Sequence, residues 1–97
     1  MQEYPEISIL IPVLDRNKDK YLGKCLASIA NSEYPIHKIT VIIKEGFGYN
    51  EGKSLGLKEA KGEFICFLDS DNVVLPNYFK DAIGTIWGNV YIFNWSR

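Results

Sequence analysis

The sequence has one histidine, one methionine and two cysteines, and His37, Cys25 and Cys66 do not stand at metal-ligand spacing from one another. A metal centre built on nitrogen or sulfur is therefore not expected. Cys25 falls in a helical pattern and Cys66 in a strand pattern, so both read as reduced, buried small hydrophobes of a cytoplasmic protein. His37 reads as a surface or capping residue. The formal net charge is −1, and the 11 lysines and arginines form no cluster. A nucleic-acid backbone needs a basic face, so nucleic acid is not an expected partner. No apolar run approaches the length of a membrane span, and the opening MQEYPEI is too acidic and polar for a secretory signal. Low-complexity segments, linkers and internal repeats are also missing. What is present, 97 residues with 46% hydrophobic and 24% charged content, suffices for one small domain with one core.

The stretch Gly62–Pro76, GEFICFLDSDNVVLP, organises the rest. Five consecutive apolar residues, Phe64 to Leu68, read as a strand buried on both faces, and the run stops at Asp69-Ser70-Asp71. Before it, Ile7–Val13 is a β-branched, nearly continuous apolar strand, weakened at Pro12, which lacks a donor. Leu14–Lys20 is a polar loop. Tyr21, Leu22, Cys25, Leu26 and Ile29 recur at spacings of three and four, one face of a helix that Asn31-Ser32 and Pro35 end. Ile39–Ile43 is a second strand and Lys44–Tyr49 a glycine-containing loop. Asn50 is the expected N-cap of a helix to Lys61, with Leu55 and Ala60 among its buried residues. Pro76 is expected to open a third helix carrying Phe79, Ala82, Ile83 and Ile86, and Val90–Trp95 is a last strand.

This alternation predicts an α/β protein, a three-layer α/β/α sandwich around a small, mostly parallel, Rossmann-like sheet in which Ile7–Val13 and Phe64–Leu68 are adjacent central strands. Ligands of such sheets bind beyond the carboxyl ends of the strands, which gathers Pro12–Asp15, Lys44–Gly48 and Asp69–Asp71 along one rim. Two carboxylates at i and i+2 repel unless something positive sits between them, and a divalent cation on oxygen ligands is the usual solution. The competing reading is that Asp71 or Asn72 caps a turn. Gly52-Lys53-Ser54 with Phe64–Asp69 mimics a phosphate-cradling P-loop, but Phe47 stands where that loop needs its first glycine. A dinucleotide fingerprint fails as well, because Glu51 stands where the third glycine should be.

From Ile7 to about Ile83 the chain resembles the nucleotide-binding half of family 2 glycosyltransferases, which have the glycosyltransferase A fold. ISILIPVLDR resembles the family's first strand, LGKCLASIANSEYP its first helix with Ser28 at the usual serine, and GKSLGLKEAKGEFICFLDSDNVVLP the stretch from its Ala-Arg-Asn-x-Gly helix to its Asp-x-Asp. The resemblance implies that the ribose and, through Mg²⁺ or Mn²⁺, the diphosphate of a nucleoside-diphosphate sugar are bound at Asp69 and Asp71. It places Pro12 and Asp15 beside the donor, puts Glu45 at the base as the remaining member of an acidic pair, and sets Lys53 where the family has arginine, still able to meet a phosphate as a point charge. The strand and helix that usually follow the family's second strand are absent, as is the acceptor half. No catalytic base is evident. The expectation is a single minimal nucleotide-sugar-binding domain, with sugar transfer to an unknown acceptor. The alternatives are a non-catalytic sugar-nucleotide binding or regulatory module and, less favoured, a P-loop-like nucleoside triphosphatase.

Trp87, Tyr91, Phe93 and Trp95 crowd into nine residues, and alternation puts Tyr91, Phe93 and Trp95 on one strand face with Val90 and Ile92 on the other. Either a helix and the core cover the two faces of such a strand, or a two-fold homodimer through Trp87–Trp95 does. Sedimentation equilibrium is expected to find dimer at tens of micromolar, roughly where a weak dimer forms; monomer alone at that concentration would refute it.

Overall fold

Every residue of the first strand, β1 (Ile7–Val13), is buried, as a β-branched run requires in a parallel strand covered on both faces. The computed structural model describes residues 4–46, 48–85 and 91–95. β1 is followed by α1 (Leu22–Ala30), a short 3₁₀ turn (Ile36–Lys38), β2 (Ile39–Glu45), α2 (Tyr49–Glu59), β3 (Phe64–Leu68), α3 (Tyr78–Thr85) and β4 (Tyr91–Trp95). The strands form one sheet in the order β2-β1-β3-β4, and all three pairings are parallel. β1 and β3 are thus the adjacent central strands that their composition predicts.

Strand alternation divides the core. Ile7, Ile9, Ile11 and Val13 of β1 join Phe64, Cys66 and Leu68 of β3 against Leu22, Cys25 and Ile29 of α1 and Phe79 of α3. Full burial of each large aliphatic side chain contributes about 1.5–3 kcal/mol, so these positions dominate the driving force. On the opposite face Leu10 and Pro12 meet α2, and the Ser8 hydroxyl accepts the N–H groups of Lys61 and Gly62 at 3.2 and 2.9 Å. The result is the α/β/α sandwich, with α1 and α3 on one face and α2 on the other. Tyr4, Tyr34, Phe79 and Tyr78 add a run of edge-to-face aromatic contacts, and the Tyr34 hydroxyl donates to the Pro5 carbonyl.

Four boundaries differ from those expected. β2 extends to Glu45, because Lys44 and Glu45 pair with Pro12 and Val13, and the Gly46 N–H closes the ladder on the Val13 carbonyl at 2.9 Å. Gly46 then turns the chain at φ +88°, a conformation that favours glycine. Tyr21 stays 51% exposed because the Asp19 carboxylate accepts both its N–H and that of Leu22, which delays the helix to Leu22. Asn50 is not the cap of α2, which follows Gly48. Nor do Leu55 and Ala60 form its buried face: both are only half-buried, while Gly52 and Gly56 lie against the sheet. Pro76 precedes α3 by two residues, since its carbonyl accepts the Glu33 N–H at 2.7 Å and Tyr78 N–H turns back to Leu75. Ile86, Trp87 and Val90 lie outside the described residues, as does the start of the segment on which the dimer was expected.

A Cβ at Gly62 would stand 2.7 Å from Ser8 N and 2.8 Å from Glu6 O, both backbone atoms that cannot step aside, whereas one at Gly23 would meet nothing within 4 Å. Gly62→Ala is expected to destabilise by about 1–3 kcal/mol, a fall in Tm of about 4–8 °C for each kcal/mol. Gly23→Ala should leave Tm unchanged or raise it slightly, as helix propensity favours alanine. Differential scanning calorimetry of both variants checks the contrast; equal Tm values would contradict the close packing of Gly62 on β1.

Candidate functional site

The chain leaves β1 toward β2 on one side, then crosses back over β1 to lay down β3 and β4 on the other. The loops after β1 and β3 therefore diverge, and a crevice opens between them at the carboxyl edge of the sheet. A cavity of about 710 Å³ lies there. Pro12 to Asp15 wall it from the end of β1, Lys18 and Asp19 from the approach to α1, Gly48 from the start of α2, and Asp69-Ser70-Asp71 from the end of β3. The N-termini of parallel-sheet helices point to this edge, so the positive end of α2 opens on the cavity at Gly48, a polarity that suits an anion.

The Asp69–Asn72 turn is held from below and from the side. Asn72 is 2% exposed; its Oδ1 accepts the Asp69 N–H at 2.9 Å, and its own N–H donates to the Asp69 carbonyl at 3.0 Å. Asn72 thus caps the turn, as one of the two sequence readings has it, while Asp69 and Asp71 line the cavity. The Cys25 thiol approaches the Asp69 carbonyl at 3.9 Å. One step further along, the Ser28 hydroxyl accepts the Val74 N–H at 3.1 Å and donates to the Cys25 carbonyl at 2.7 Å. Ser28 therefore pins the exit of the turn to α1.

Of the residues singled out from sequence, the fold brings Pro12, Asp15, Asp69 and Asp71 to one cavity. Glu45 and Lys53 stand outside its wall. Glu45 holds the β1 loop, accepting the Arg16 N–H at 2.9 Å with the Arg16 Nε 4.0 Å away. Gly52-Lys53-Ser54 lies inside α2 rather than at its entry, so it cannot cradle a phosphate as a P-loop does. Lys53 Nζ sits 5.0 Å from the Phe67 ring, a cation–π distance. Lys44, beside them, pairs with Glu59. Among the described residues no three His, Cys, Asp or Glu side chains are grouped to hold a metal. Two hard carboxylates do fit a cation such as Mg²⁺ or Mn²⁺ that takes its other ligands from substrate phosphates and water.

Asp19 was not foreseen. Its carboxylate is held below the ordinary value, chiefly by a hydrogen bond from the Ser70 side chain, then by the Tyr21 and Leu22 backbone N–H groups, with partial burial opposing. An aspartate just before an apolar periodic run is a helix-start signal, and that signal was available two residues ahead of Tyr21.

The comparisons agree with this geometry. The family model for glycosyl transferase family 2 matches residues 36–93. Among curated proteins the chain is 26% identical to the glycosyltransferase GlyA of Streptococcus pneumoniae serotype 4, over 95% of this chain and 18% of that protein. It is 23% identical to the poly(ribitol-phosphate) beta-N-acetylglucosaminyltransferase TarS of Staphylococcus aureus, over 84% of this chain and 19% of that protein. The chain thus spans about a fifth of the length of these relatives. Both matches, at 125 and 109 residues, run longer than the chain itself, so the relatives carry extra residues inside the matched span. No solved structure gives a significant match.

Burial under the turn pushes the Cys25 thiol up to about 11, with the Asp19, Asp71 and Asp69 carboxylates adding to it. Burial likewise raises Cys66 to about 12. The folded values exceed the unfolded one, so the stability these thiols contribute is complete below about pH 9 and is lost as pH rises through 11–12. Urea midpoints should hold up to about pH 9 and then fall, and Cys25→Ala should remove part of the alkaline decline. Neither thiol should react with a maleimide at pH 7.5 until the protein is unfolded; rapid native labelling of Cys25, followed by mass spectrometry, would contradict its burial.

Proposed function

The chain belongs to glycosyl transferase family 2, and on that premise we propose that residues 1–97 act as one nucleotide-sugar-binding unit whose donor is a nucleoside-diphosphate sugar. The observation that carries this reading is the convergence of Pro12, Asp15, Asp69 and Asp71 on one cavity at the β1/β3 switch. Asp69 and Asp71 form the Asp-x-Asp motif and would hold Mg²⁺ or Mn²⁺ together with the diphosphate. Pro12 and exposed Leu14 offer an apolar wall beside Asp15 for the nucleoside. Glu45 would act on the base side through the β1 loop, whose Arg16 N–H it accepts, and Lys53 adds positive charge on the α2 face. When bound, the cation supplies Lewis-acid stabilisation of the departing nucleoside diphosphate. In the transfer proposed, an acceptor hydroxyl forms the new bond to the anomeric carbon as the bond to the diphosphate oxygen breaks. The chain's own part is to hold the donor and exclude water beneath it.

The acceptor hydroxyl's proton passes to a base supplied from outside this cavity. A binding module without transfer is the second reading, favoured by the engagement of Glu45 with Arg16. Among the described residues no helix is long and apolar enough to cross a membrane. Two buried free thiols support a reducing compartment, and the cytoplasm is the location proposed.

Calorimetry with a panel of nucleoside diphosphates, with and without Mn²⁺, tests the proposal. Two carboxylates make a poor cage for a cation alone, so Mn²⁺ affinity should rise when the preferred nucleotide is present. Asp71→Ala should lower that nucleotide-dependent affinity about tenfold or more, which corresponds to a loss of about 1.4 kcal/mol for each factor of ten. Equal Mn²⁺ binding by wild type and Asp71→Ala in the presence of nucleotide would remove the site from consideration.

A further inference from the structure

β1 and β2 are both rich in isoleucine, yet every residue of β1 is buried and no residue of β2 is. Thr40 and Glu45 are exposed, while Ile39, Val41, Ile42, Ile43 and Lys44 are half-buried. The cause is position: among the described residues β2 pairs with β1 alone and forms an edge of the sheet. Alternate residues of a strand point their N–H and C=O groups to opposite neighbours, so β2 turns a row of backbone donors and acceptors away from β1. Proteins usually guard such an edge with a bulge, a proline or a projecting charge. The register of β2 against β1 runs unbroken from Ile39 to Glu45, and ITVIIKE contains no proline. Both of its charged residues are engaged within the chain: Lys44 pairs with Glu59 of α2, and Glu45 accepts the Arg16 N–H. Just ahead of the strand, Ile36 is 58% exposed.

We propose that the outer edge of β2 is an interface for a second copy of this chain, the two β2 strands pairing antiparallel about a two-fold axis at Ile42 and joining the two sheets into one. The choice of occupant follows from the side chains. The register against β1 puts Ile39, Val41 and Ile43 on the α1 face with Ile7, Ile9 and Ile11, and Thr40, Ile42 and Lys44 on the α2 face with Ser8, Leu10 and Pro12. In the antiparallel arrangement Val41 meets Ile43 of the second copy on one face, and Ile42 meets its own counterpart on the other. Thr40 falls opposite Lys44 of the second copy and Ile39 opposite its Glu45, so aliphatic side chains face one another and no like charges do. A parallel pairing would instead set Lys44 beside Lys44 and Glu45 beside Glu45. The strand is therefore complementary to itself in the one orientation that a closed two-fold dimer uses. The inference does not rest on the metal–nucleotide reading above.

The test uses the full chain. Sedimentation equilibrium of the wild type should show dimer, and Ile42→Lys should raise the dimer dissociation constant about tenfold or more, because two cations then face each other across the axis. A lysine at a half-buried edge position can extend to water, and circular dichroism checks that the variant is folded. Ile42→Cys reads the register. Residues directly opposite in an antiparallel pair have Cα atoms about 4.5–5.5 Å apart, within the reach of a disulfide. Thr40, by contrast, would stand roughly 13 Å along the strands from Thr40 of the second copy. Cys25 and Cys66 are buried and do not compete. Mild oxidation with diamide should therefore link Ile42→Cys chains through residue 42 and leave Thr40→Cys chains unlinked, as read by mass spectrometry. A wild type that stays monomeric at tens of micromolar, well above a roughly micromolar dissociation constant, would overturn the inference. So would linkage at position 40 equal to that at position 42. A dimer that folded Ile42→Lys leaves intact would overturn it too, and would move the contact to another surface such as Trp87–Trp95.

Discussion

The pairing of β1 with β3 is the constraint on which the structure depends. Their register sets Ile7 against Phe64 and Leu10 against Phe67, and both strands are buried on both faces. Because the chain runs from β1 to β2 on one side and from β3 to β4 on the other, no connection bridges the gap at their carboxyl ends. The burial that stabilises the fold and the opening that admits a ligand are two consequences of one strand order. Carboxylates cannot be placed inside such a sheet without several kcal/mol of desolvation, but at its carboxyl edge they stay hydrated while their backbone is rigidly held.

The second dependence is on how closely α2 approaches the sheet. Its inward face is made by Gly52 and Gly56, and a Cβ at Gly52 would stand 2.8 Å from the Pro12 side chain. A helix seated on glycine comes nearer to the strands than one seated on leucine, which brings Gly48 to the cavity wall and leaves the helix with little apolar stripe of its own. Its anchoring comes instead from its ends and flank: the Lys44–Glu59 ion pair and the Ser8 hydroxyl, which receives the chain as it leaves toward β3.

These features explain which parts were legible in the sequence. β1 and β3 were, because continuous apolar runs leave few alternatives to a doubly covered strand. The position of Asp69-Ser70-Asp71 at the cavity was legible too, since the segment ends such a strand. α2 was recognised as a helix, but its buried face was misassigned, because hydrophobic periodicity looks for side chains and here their absence makes the contact. Pro76 satisfied the rule for a first helical position, yet its carbonyl is taken by Glu33, a tertiary bond that no local rule contains. Asp19 was passed over because what brings it to the cavity beside Asp69 and Asp71, some fifty residues away in the chain, is the fold and not a local pattern.

The acidic rim then acquires a division of labour. Four aspartates, Asp15, Asp19, Asp69 and Asp71, share the cavity with Lys18, an arrangement that alone would repel a diphosphate. Two of them are committed to backbone. Asp15 accepts the Asn17 N–H at 3.0 Å, and Asp19 accepts those of Tyr21 and Leu22; each stabilises a turn at the approach to α1. Asp69 and Asp71 stand on the β3 side of the cavity, while the α2 side carries the positive end of a helix at Gly48. On the reading proposed above, a cation with a diphosphate attached would suit that polarity, because carboxylates line one side of the cavity and a helix N-terminus opens on the other.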